Sequence, residues 1–558
     1  MYEDPYLTTQ LIAYIGNKRR LLDFLGPLFR RLTGNYSAPS KVRFLDPFAG
    51  SGAVSRLGKQ LGYQVEANDW EFFSYVLNEA HVGVDAKEVK RLFGGPGGLE
   101  ALLERLNRQA ERAPAPGYIA GHYAPRETAS ADYRRERLFY TRENAVFLDT
   151  VRDEVERLYP GWQLSQSAWR EKLLLLAAIL YQAATHANTS GVFKAYHKGF
   201  GGHGGDALHR ILRPMALEYP VLADGGARCS ASQEEAASFV SSRPADIVYL
   251  DPPYNSHQFG SNYFMLNTIA LWDKPPVDES RSEDGRLRVK AGIRPDWSDT
   301  RSAYCYRDSA PRAFADLLDA IDARYIVLSY NSEGIVPLEQ LVDILAPHGR
   351  LELVSRDYVT YRGGRQSMQR ATNNAELAFV LHRRESPGLW DRSRIEATLL
   401  ERRLQGLLRA RFSPERLGQA FPVEGNTVTL LPGRLSLRTE ARYRFLDSAG
   451  DLSDLDTETL QDLLERLERC RLKDHREEAR LLMRMLADGA VDDPTTRRAY
   501  RERMIRCLRK FAHKKYRREF LETAEEIRSY VRSFPERFPG VEADLCEVEA
   551  LFHKRVTG

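Results

Sequence analysis

A carboxylate, two prolines, an aromatic ring and an amide directly follow an apolar run in DIVYLDPPYN, residues 246–255. The apolar run predicts a buried strand, and the prolines must end it because neither has an N–H to donate to a ladder. Asp251 and the carbonyl of Pro252 then offer two acceptors, which suit an amino group with two hydrogens. Tyr254 offers a face on which a planar base can stack. The alternative is a plain strand-ending turn with a capping Asp251.

A second stretch that could do chemistry is FLDPFAGSG, residues 44–52. Asp46 ends a predicted strand, while Gly50 and Gly52 allow a tight turn and a close approach of the backbone to a ligand. The stretch is not GxGxxG and no Lys-Ser/Thr follows, which disfavours a dinucleotide site and a P-loop. Asp69 follows Gly50 at about the spacing that brings a second strand's carboxylate to a ribose diol. The alternatives are a tight turn without a ligand and a helix-capping or surface role for Asp69.

The elements that must position these residues begin with a parallel βαβ unit. It comprises a strand over 42–45, a helix over 55–61 and a strand over 63–67. Apolar residues at helical spacing also predict a helix over 11–31. The strand before the two prolines is predicted over 245–250.

The predicted secondary structure changes twice along the rest of the chain. Residues 86–220 are predicted to be mostly helical, as an insertion between two halves of the α/β core. Downstream, residues 313–331 predict a helix and then a strand. Further patterns, in chain order, predict strands over 349–362 and 373–384, short strands over 421–446, and several charged helices over 457–535.

Three motifs together resemble a known family. YIGNK (14–18), FLDPFAGSG and DIVYLDPPYN occur in the order found in the Dam-type, alpha-group N6-adenine-specific DNA methyltransferases. The resemblance covers about residues 8–385 and continues in SGVFKAYHKGFGG, HQFGSNYFMLNTI and IVLSYNSEG. These later parts are most similar to modification methyltransferases of restriction systems with asymmetric sites.

The resemblance implies an α/β fold with a Rossmann-like S-adenosylmethionine-dependent methyltransferase core. The core would comprise residues 1–85, with the cofactor-binding motifs, and residues 221–388, with the catalytic DPPY. Residues 86–220 would be a mostly helical target-recognition insertion. Residues 389–558 lie outside the resemblance and would form an extra α+β C-terminal accessory domain.

The resemblance also assigns site residues. Tyr14 and Lys18 match the cofactor-contacting aromatic ring and lysine, and Asp69 matches the acid that binds the cofactor's ribose. The turn that holds the methionine part of S-adenosylmethionine would contain Asp46, Phe48, Gly50 and Gly52. The catalytic group would comprise Asp251, which also meets the cofactor, with Pro252 and the stacking ring of Tyr254.

One segment departs from the family pattern. Residues 228–238 lack the Asp that many relatives carry where a strand end meets the cofactor's adenine. Ser230 or Ser232 is the candidate substitute, so the contacts to the adenine ring stay open.

Double-stranded DNA is the partner that the resemblance implies, and several side chains are candidates to contact it. The basic cluster Arg134, Arg135, Arg137 and Arg142 would meet phosphates or simply solvate a helix face. Lys198 begins a glycine-rich loop, KGFGGHGG, that would approach DNA or remain a surface loop. The residues just after DPPY that would touch the flipped nucleotide are His257, Gln258 and Asn262.

The C-terminal third contains a second basic stretch. Residues 497–518 hold eleven Lys or Arg residues and one acid, Glu502, with three aromatic residues interleaved. A basic helix of this kind suits binding to a DNA backbone, with Arg506, Lys514 and Arg517 as contacts. The alternative is a helix that packs its apolar side and leaves its arginines in solvent.

Composition limits the remaining functions. The chain has 558 residues, 28% of them charged, and a formal net charge of +4, so a nucleic-acid surface must be a local patch. No apolar run approaches the roughly 18 residues of a membrane span. Five scattered cysteines without a CxxC pair predict reduced thiols and a cytoplasmic protein. The twelve histidines show no ligand spacing, so no metal is expected.

Three other functions compete with adenine methylation. Cytosine N4 methylation uses the same amine chemistry, but motif order and an Asp before Pro-Pro favour adenine. A catalytically silent DNA-binding or regulatory subunit is disfavoured by the intact set of Asp46, Lys18, Asp251 and Tyr254. A fused C-terminal nuclease lacks a convincing ExK constellation. A companion restriction endonuclease or defence-system subunit is a further expected partner.

Overall fold

A computed structural model describes residues 4–557 except 95–96, 203–204, 206, 332–333, 359–373, 447–451, 453 and 492. The chain divides into two compact units. The first comprises Met1–Arg356 and Glu376–Asp391, and the second comprises Asp357–Ala375 and Arg392–Gly558. Within the described residues, no helix combines the length and apolarity needed to cross a membrane.

The strands fall into two sheets. In chain order they are β1 Arg43–Asp46, β2 Gln64–Asn68, β3 Ser230–Ser232, β4 Ala245–Leu250, β5 Ala323–Asn331, β6 Arg350–Tyr358, β7 Asn374–His382, β8 Val423–Glu424, β9 Thr427–Leu431, β10 Leu435–Glu440 and β11 Arg444–Phe445. The first seven form one sheet in the order β3-β2-β1-β4-β5-β7-β6, and the last four form another in the order β11-β10-β9-β8.

Twenty-two α-helices occur in the described residues. The first fifteen are α1 Pro5–Thr8, α2 Leu22–Leu32, α3 Ala53–Gln60, α4 Phe72–Asn78, α5 Ala86–Leu92, α6 Gly98–Arg112, α7 Tyr118–His122, α8 Arg142–Leu158, α9 Gln166–Thr185, α10 Leu208–Leu212, α11 Ala236–Ser241, α12 Phe259–Asn262, α13 Phe264–Leu271, α14 Ala310–Ala320 and α15 Leu338–Leu345. The remainder are α16 Leu389–Leu408, α17 Pro414–Ala420, α18 Thr457–Cys470, α19 His475–Ala487, α20 Pro494–Phe511, α21 Arg517–Ser533 and α22 Val541–Thr557.

The seven-stranded sheet is mostly parallel. β1 pairs in parallel with β2 and β4, β2 pairs with β3, and β4 pairs with β5. β7 pairs antiparallel with β5. The chain therefore runs outward in one direction through β1, β2 and β3 and in the other through β4 and β5. Such a reversal between β1 and β4 creates a crevice at the carboxyl edge where ligands bind.

The predicted βαβ unit is confirmed as β1, α3 and β2, with each boundary within two residues of the prediction. The interior of β4 is buried because Ile247, Val248, Tyr249 and Leu250 are each at most 1% exposed. That fits a strand with neighbours on both sides and helices on its faces.

The helices of residues 86–220 share a core with helices of the α/β part of the chain. Buried side chains of α6, α8 and α9 belong to the same cluster as those of α4 and α13. Residues 173–180 of α9 are buried all round the helix, which marks a central helix rather than a surface one.

The prediction of one helix over 11–31 is wrong for its first part. Residues 11–17 are not helical, a 3-10 turn covers Lys18–Leu21, and α2 begins at Leu22. Gly16 has φ +79°, which interrupts a right-handed helix. Asn17 then caps the turn by accepting the N–H of Arg19 at 2.8 Å.

The second unit has two apolar cores of its own. One joins α17 and α18 with the short sheet β8–β11, which confirms the short strands predicted there. The other joins α19, α20, α21 and α22.

Candidate active site

Three carboxylates lie at the carboxyl ends of neighbouring parallel strands. Asp46 ends β1, Asp69 follows β2 and Asp251 follows β4. All three line one cavity of about 340 Å³. The topology therefore brings together two motifs that are about 200 residues apart in the sequence.

The turn after β1 depends on two glycines. Gly50 has φ +51°, and a Cβ there would lie 2.6 Å from Cε1 of Tyr14. Gly52 has φ +75°, and a Cβ there would lie 2.6 Å from Oδ1 of Asn78. Side chains are thus excluded by both conformation and space, and the turn's backbone forms part of the cavity wall.

Asp46 is a buried acid with one unused oxygen. Its side chain is 1% exposed, and Oδ2 accepts a 2.6 Å hydrogen bond from Ser55. Oδ1 has no hydrogen-bond partner among the described residues. Burial raises the pKa of Asp46 to about 7. A buried, unpaired acceptor in a cavity wall fits a ligand with a positive or N–H-bearing group.

Asp69 is held by the backbone of two segments. Its Oδ2 accepts the N–H of Gly50 at 2.8 Å and its Oδ1 accepts the N–H of Glu71 at 2.9 Å. Burial raises its pKa, although these backbone hydrogen bonds oppose the shift. A carboxylate has about four acceptor positions, so Asp69 can brace the Gly50 turn and still accept hydroxyl groups from a ligand.

Lys18 joins the first motif to the DPPY loop. Its Nζ lies 2.8 Å from Oδ1 of Asp251 and donates to the carbonyl of Gly16 at 3.1 Å. The same amine lies 5.1 Å from the centre of the Tyr254 ring. The side chain of Lys18 is only 4% exposed and that of Asp251 is 16% exposed. This partly desolvated pair therefore ties the side chain of Asp251 to the first motif.

Aromatic rings form much of the cavity wall. Tyr14 stacks on Tyr263 at 5.1 Å between centroids, and Phe48 meets Tyr304 edge-on at 5.4 Å. Tyr254 meets Tyr330 edge-on at 5.8 Å, while its carbonyl accepts the N–H of Ile335 at 3.0 Å. These contacts fix the rings, so each can present a set face or edge to a planar ligand.

Several cavity residues had not been predicted. Glu71 is 4% exposed, and its carboxylate accepts from Asn267 at 2.6 Å and from Thr300 at 2.8 Å. Trp70 and Ser302 also line the cavity. The WE pair directly after Asp69 was an available signal for Trp70 and Glu71. Thr300 and Ser302 lie in an irregular segment whose sequence carries no recognisable pattern.

The residues predicted to contact DNA in the first unit separate into two groups. Arg134, Lys198 and His257 are exposed. Arg137 is 2% exposed, Asn262 is 1% exposed and Gln258 is 6% exposed. Such burial does not fit direct DNA contact, so these three predictions are corrected.

Arg137 instead makes hydrogen bonds and an ion pair within the protein. Its guanidinium donates to the carbonyls of Lys290 at 3.0 Å, Val289 at 3.0 Å and His122 at 3.1 Å, and it pairs with Glu279 at 2.6 Å. A phosphate contact would require it to leave these partners. For the glycine-rich loop, His203 and Gly204 lie outside the described residues.

The prediction of a single basic helix over 497–518 is wrong. α20 ends at Phe511, a 3-10 turn covers Lys514–Tyr516, and α21 begins at Arg517. Arg503 of this stretch pairs with the buried Glu478 at 2.9 Å. Arg506, Lys514 and Arg517 are exposed, as a DNA contact requires.

The second unit contains a cluster with metal-ligand side chains, His475, Glu478 and Cys507, whose ligand atoms lie within 4.8 Å of one another. Glu478 also receives Arg411 and Arg503, each at 2.9 Å, and the Tyr443 hydroxyl. Burial opposes ionisation of Glu478, but these hydrogen bonds and charges lower its pKa. Burial raises the pKa of the Cys507 thiol. Two guanidinium groups and a protonated thiol make the cluster a poor cation site.

The mostly parallel sheet, with its acidic cavity at the point of strand reversal, is consistent with a methyltransferase fold. Residues 14–343 match the family of D12 class N6 adenine-specific DNA methyltransferases. This match covers more than half of the chain, and the chain belongs to that family.

Named relatives give the same result. The chain is 31% identical over 367 residues to the type II methyltransferase M.NlaIII of Neisseria lactamica, covering 66% of this chain and 97% of the relative. It is 30% identical to modification methylase LlaI of Lactococcus lactis subsp. lactis over 64% of this chain and 53% of that protein. The type II methyltransferase M.CviAII of Paramecium bursaria Chlorella virus 1 is 27% identical over 63% of this chain and 93% of its own length. No solved structure matches the chain significantly.

Proposed function

We propose that this chain is a Dam-type, DPPY-bearing enzyme that methylates the exocyclic N6 amine of adenine in duplex DNA, using S-adenosylmethionine. The observation that carries the proposal is the meeting of Asp251, Pro252 and Tyr254 with the Asp46–Gly52 turn in one cavity. A Rossmann-like core, with residues 86–220 as the target-recognition region, belongs to the same proposal.

The cofactor would be held by groups at the ends of β1 and β2. Asp46 has an unpaired buried oxygen suited to the ammonium of the methionine part. The backbone of Gly50 and Gly52 would approach the cofactor closely, between Phe48 and Tyr14. Asp69 would accept the ribose hydroxyls, and Trp70 would pack on the adenine ring.

S-adenosylmethionine would supply a methyl group already activated by its sulfonium, so the proposal includes neither a metal nor a covalent enzyme intermediate. An adenine inside a duplex cannot reach the cavity, so the base must be flipped out at a cost of a few kcal/mol. Stacking on Tyr254 would recover about 1–3 kcal/mol of that cost.

Asp251 and the Pro252 carbonyl would accept hydrogen bonds from the two N–H groups of the amine. This arrangement turns the nitrogen's lone pair out of the ring system and toward the methyl group, and it stabilises the positive charge that develops on nitrogen. One of the two N–H protons would leave the nitrogen after the methyl group has transferred, with S-adenosylhomocysteine as the other product. Lys18 would act as a positioning residue, because its ion pair fixes the orientation of the Asp251 carboxylate.

The exposed cations Arg134 and Lys198 would contact phosphates, and His257 would lie next to the flipped nucleotide. In the second unit, Arg506, Lys514 and Arg517 would add contacts to the DNA backbone, making residues 389–558 an accessory DNA-binding domain. We further infer a cytoplasmic role in a restriction system, with a companion endonuclease or defence subunit, because two relatives are named type II methyltransferases.

Cytosine N4 methylation is the second candidate function, since Asp251 and Tyr254 could serve a cytosine amine by the same chemistry. The family match favours adenine. Transfer of a labelled methyl group from S-adenosylmethionine to duplex DNA, followed by identification of the modified base, tests the proposal.

A further inference from the structure

A short β-hairpin follows the catalytic loop in the irregular segment between α13 and α14. Arg281 and Leu287 form an antiparallel bridge. The Arg288 N–H donates to Ser280 at 3.0 Å, and the Ser282 N–H donates to Arg286 at 2.9 Å. We call residues 280–288 the ribbon; its tip comprises residues 282–285.

The ribbon is attached to the basic segment that contains Arg134. The N–H of Leu287 donates to the Arg134 carbonyl at 2.9 Å, and Arg281 donates to the Arg135 carbonyl at 2.9 Å. The buried Arg137 donates to the carbonyls of Val289 and Lys290 just after the ribbon. Segments on either side of DPPY in the sequence therefore form one body.

This body connects to the catalytic loop through a short chain of contacts. The Tyr196 hydroxyl donates to the Tyr133 carbonyl at 3.2 Å. The Phe193 N–H donates to the Asn262 carbonyl at 2.7 Å. Asn262 ends α12, which begins at Phe259, shortly after Tyr254. These hydrogen bonds connect the base of the ribbon to the segment that follows Tyr254, the proposed base-stacking ring.

The ribbon and its base expose cations around an acidic tip. The exposed cations are Arg134, Arg135, Arg281, Arg286, Arg288 and Lys290. Glu283 and Asp284 are exposed at the tip, where Asp284 pairs with Arg286 at 2.8 Å. Cations at the base suit phosphates, whereas the carboxylates at the tip suit the amino group that cytosine presents in the major groove.

We propose that the ribbon enters the major groove of the substrate DNA, where its tip reads bases while Arg134 and Arg288 contact phosphates. The major groove, about 12 Å wide, admits a two-stranded β-ribbon. This inference rests on the proposed function and adds a recognition element outside the predicted region 86–220.

The tip is tested by mapping methylated sites on a random-sequence duplex library. We expect Glu283→Ala to change the relative kcat/KM between sites by tenfold or more at one or two positions of the recognition sequence. The slope of affinity against salt should stay unchanged, because no phosphate contact is lost. Asp284→Ala provides a second tip variant, and the cofactor affinity of each variant reports whether its active site is intact.

The base is tested with Arg134→Ala combined with Arg288→Ala. Affinity should fall on every sequence, and the salt slope should decrease by about 1.8, since each phosphate contact contributes about 0.9. Arg31→Ala, at an arginine of α2 that is 52% exposed and outside residues 86–220, is the control and should leave the slope unchanged.

Unchanged site preference in both tip variants, or an unchanged salt slope in the Arg134 and Arg288 variant, would overturn the ribbon proposal while leaving the methyltransferase activity intact. A wild-type protein that binds S-adenosylmethionine but methylates no DNA would instead overturn the proposed function, and the ribbon proposal with it.

Discussion

Asp46 and Glu71 give the cavity buried carboxyl groups whose ionisation is sensitive to pH near neutrality. Burial raises the pKa of each to about 7. Asp46 faces the acids Asp69 and Asp251, which oppose its ionisation, and Ser55, which favours it. Glu71 faces Asp69, which opposes its ionisation, and Asn267, Thr300 and Arg294, which favour it. Their charge therefore depends on what occupies the cavity.

We expect the dissociation constant of S-adenosylmethionine to fall as the pH rises from 6 to 8. The reason is that a cationic ligand prefers ionised carboxylates, and each group contributes at most a tenfold change per pH unit. Calorimetric titration across this range measures the effect. Asp46→Asn and Glu71→Gln should each reduce the pH dependence.

The stability of the ligand-free protein changes with pH in the opposite direction to its affinity for the cofactor. Both folded-state pKa values lie above those of the unfolded chain, so the two acids contribute stability at low pH that is lost as the pH rises through about 7. A pH-independent cofactor affinity in the wild type, or a full pH dependence retained when Asp46→Asn and Glu71→Gln are combined, would contradict this account of the cavity.

At the scale of elements, the turn between β1 and α3 is the most constrained part of the site. Gly50→Ala would force a side chain into a left-handed conformation at about 1–2 kcal/mol and into contact with the Tyr14 ring. We expect a stability loss of about 2 kcal/mol or more and a weaker affinity for the cofactor. Urea unfolding and cofactor titration measure the two effects.

Gly161→Ala is the matched control for this substitution. Gly161 also has a positive φ, +64°, but nothing lies within 4 Å of its added Cβ. It should therefore lose stability through backbone strain alone and keep its cofactor affinity. Equal losses of cofactor affinity in both variants would show that the Gly50 turn has no special role.

The sequence was sufficient to predict the elements whose patterns are local. Short apolar runs bounded by Gly, Pro and Asp predict β1, α3, β2 and β4. Asp251 directly follows the end of β4, as the DPPY motif predicts. The prediction of one helix over 11–31 was partly wrong because Gly16 interrupts the helix. The basic stretch 497–518 was wrong because its turn at 512–516 has no strong breaker residue.

Long-range contacts explain the remaining misses. The burial of Arg137 depends on carbonyls about 150 residues later in the chain, and no local pattern indicates them. Glu71 became part of the site through Asn267 and Thr300, which approach from two other segments. Periodicity reports which face of an element is apolar but not which distant segment covers it.

At the scale of the whole molecule, the relatives leave about a third of the chain unmatched, and the second unit has its own cores. We expect the combined variant Arg506→Ala, Lys514→Ala and Arg517→Ala to weaken DNA binding and to lower the salt slope by up to about 2.7. Affinity measured at several salt concentrations checks this expectation in the full-length protein.

Arg469→Ala is the control for the second unit, because Arg469 is 77% exposed on α18 and lies outside the basic stretch. It should leave both affinity and slope unchanged. If the triple variant also binds DNA with wild-type affinity and slope, the second unit serves a structural or partner-docking role instead.

The central claim is that this cavity methylates the N6 amine of adenine through Asp251. The direct measurement incubates the protein with isotopically labelled S-adenosylmethionine and duplex DNA, digests the DNA to nucleosides and identifies the labelled one by mass spectrometry. We predict labelled N6-methyladenine with the wild-type protein and at least a hundredfold less with Asp251→Ala, while both proteins still bind DNA. Label on N4-methylcytosine, or full activity in Asp251→Ala, would contradict the account.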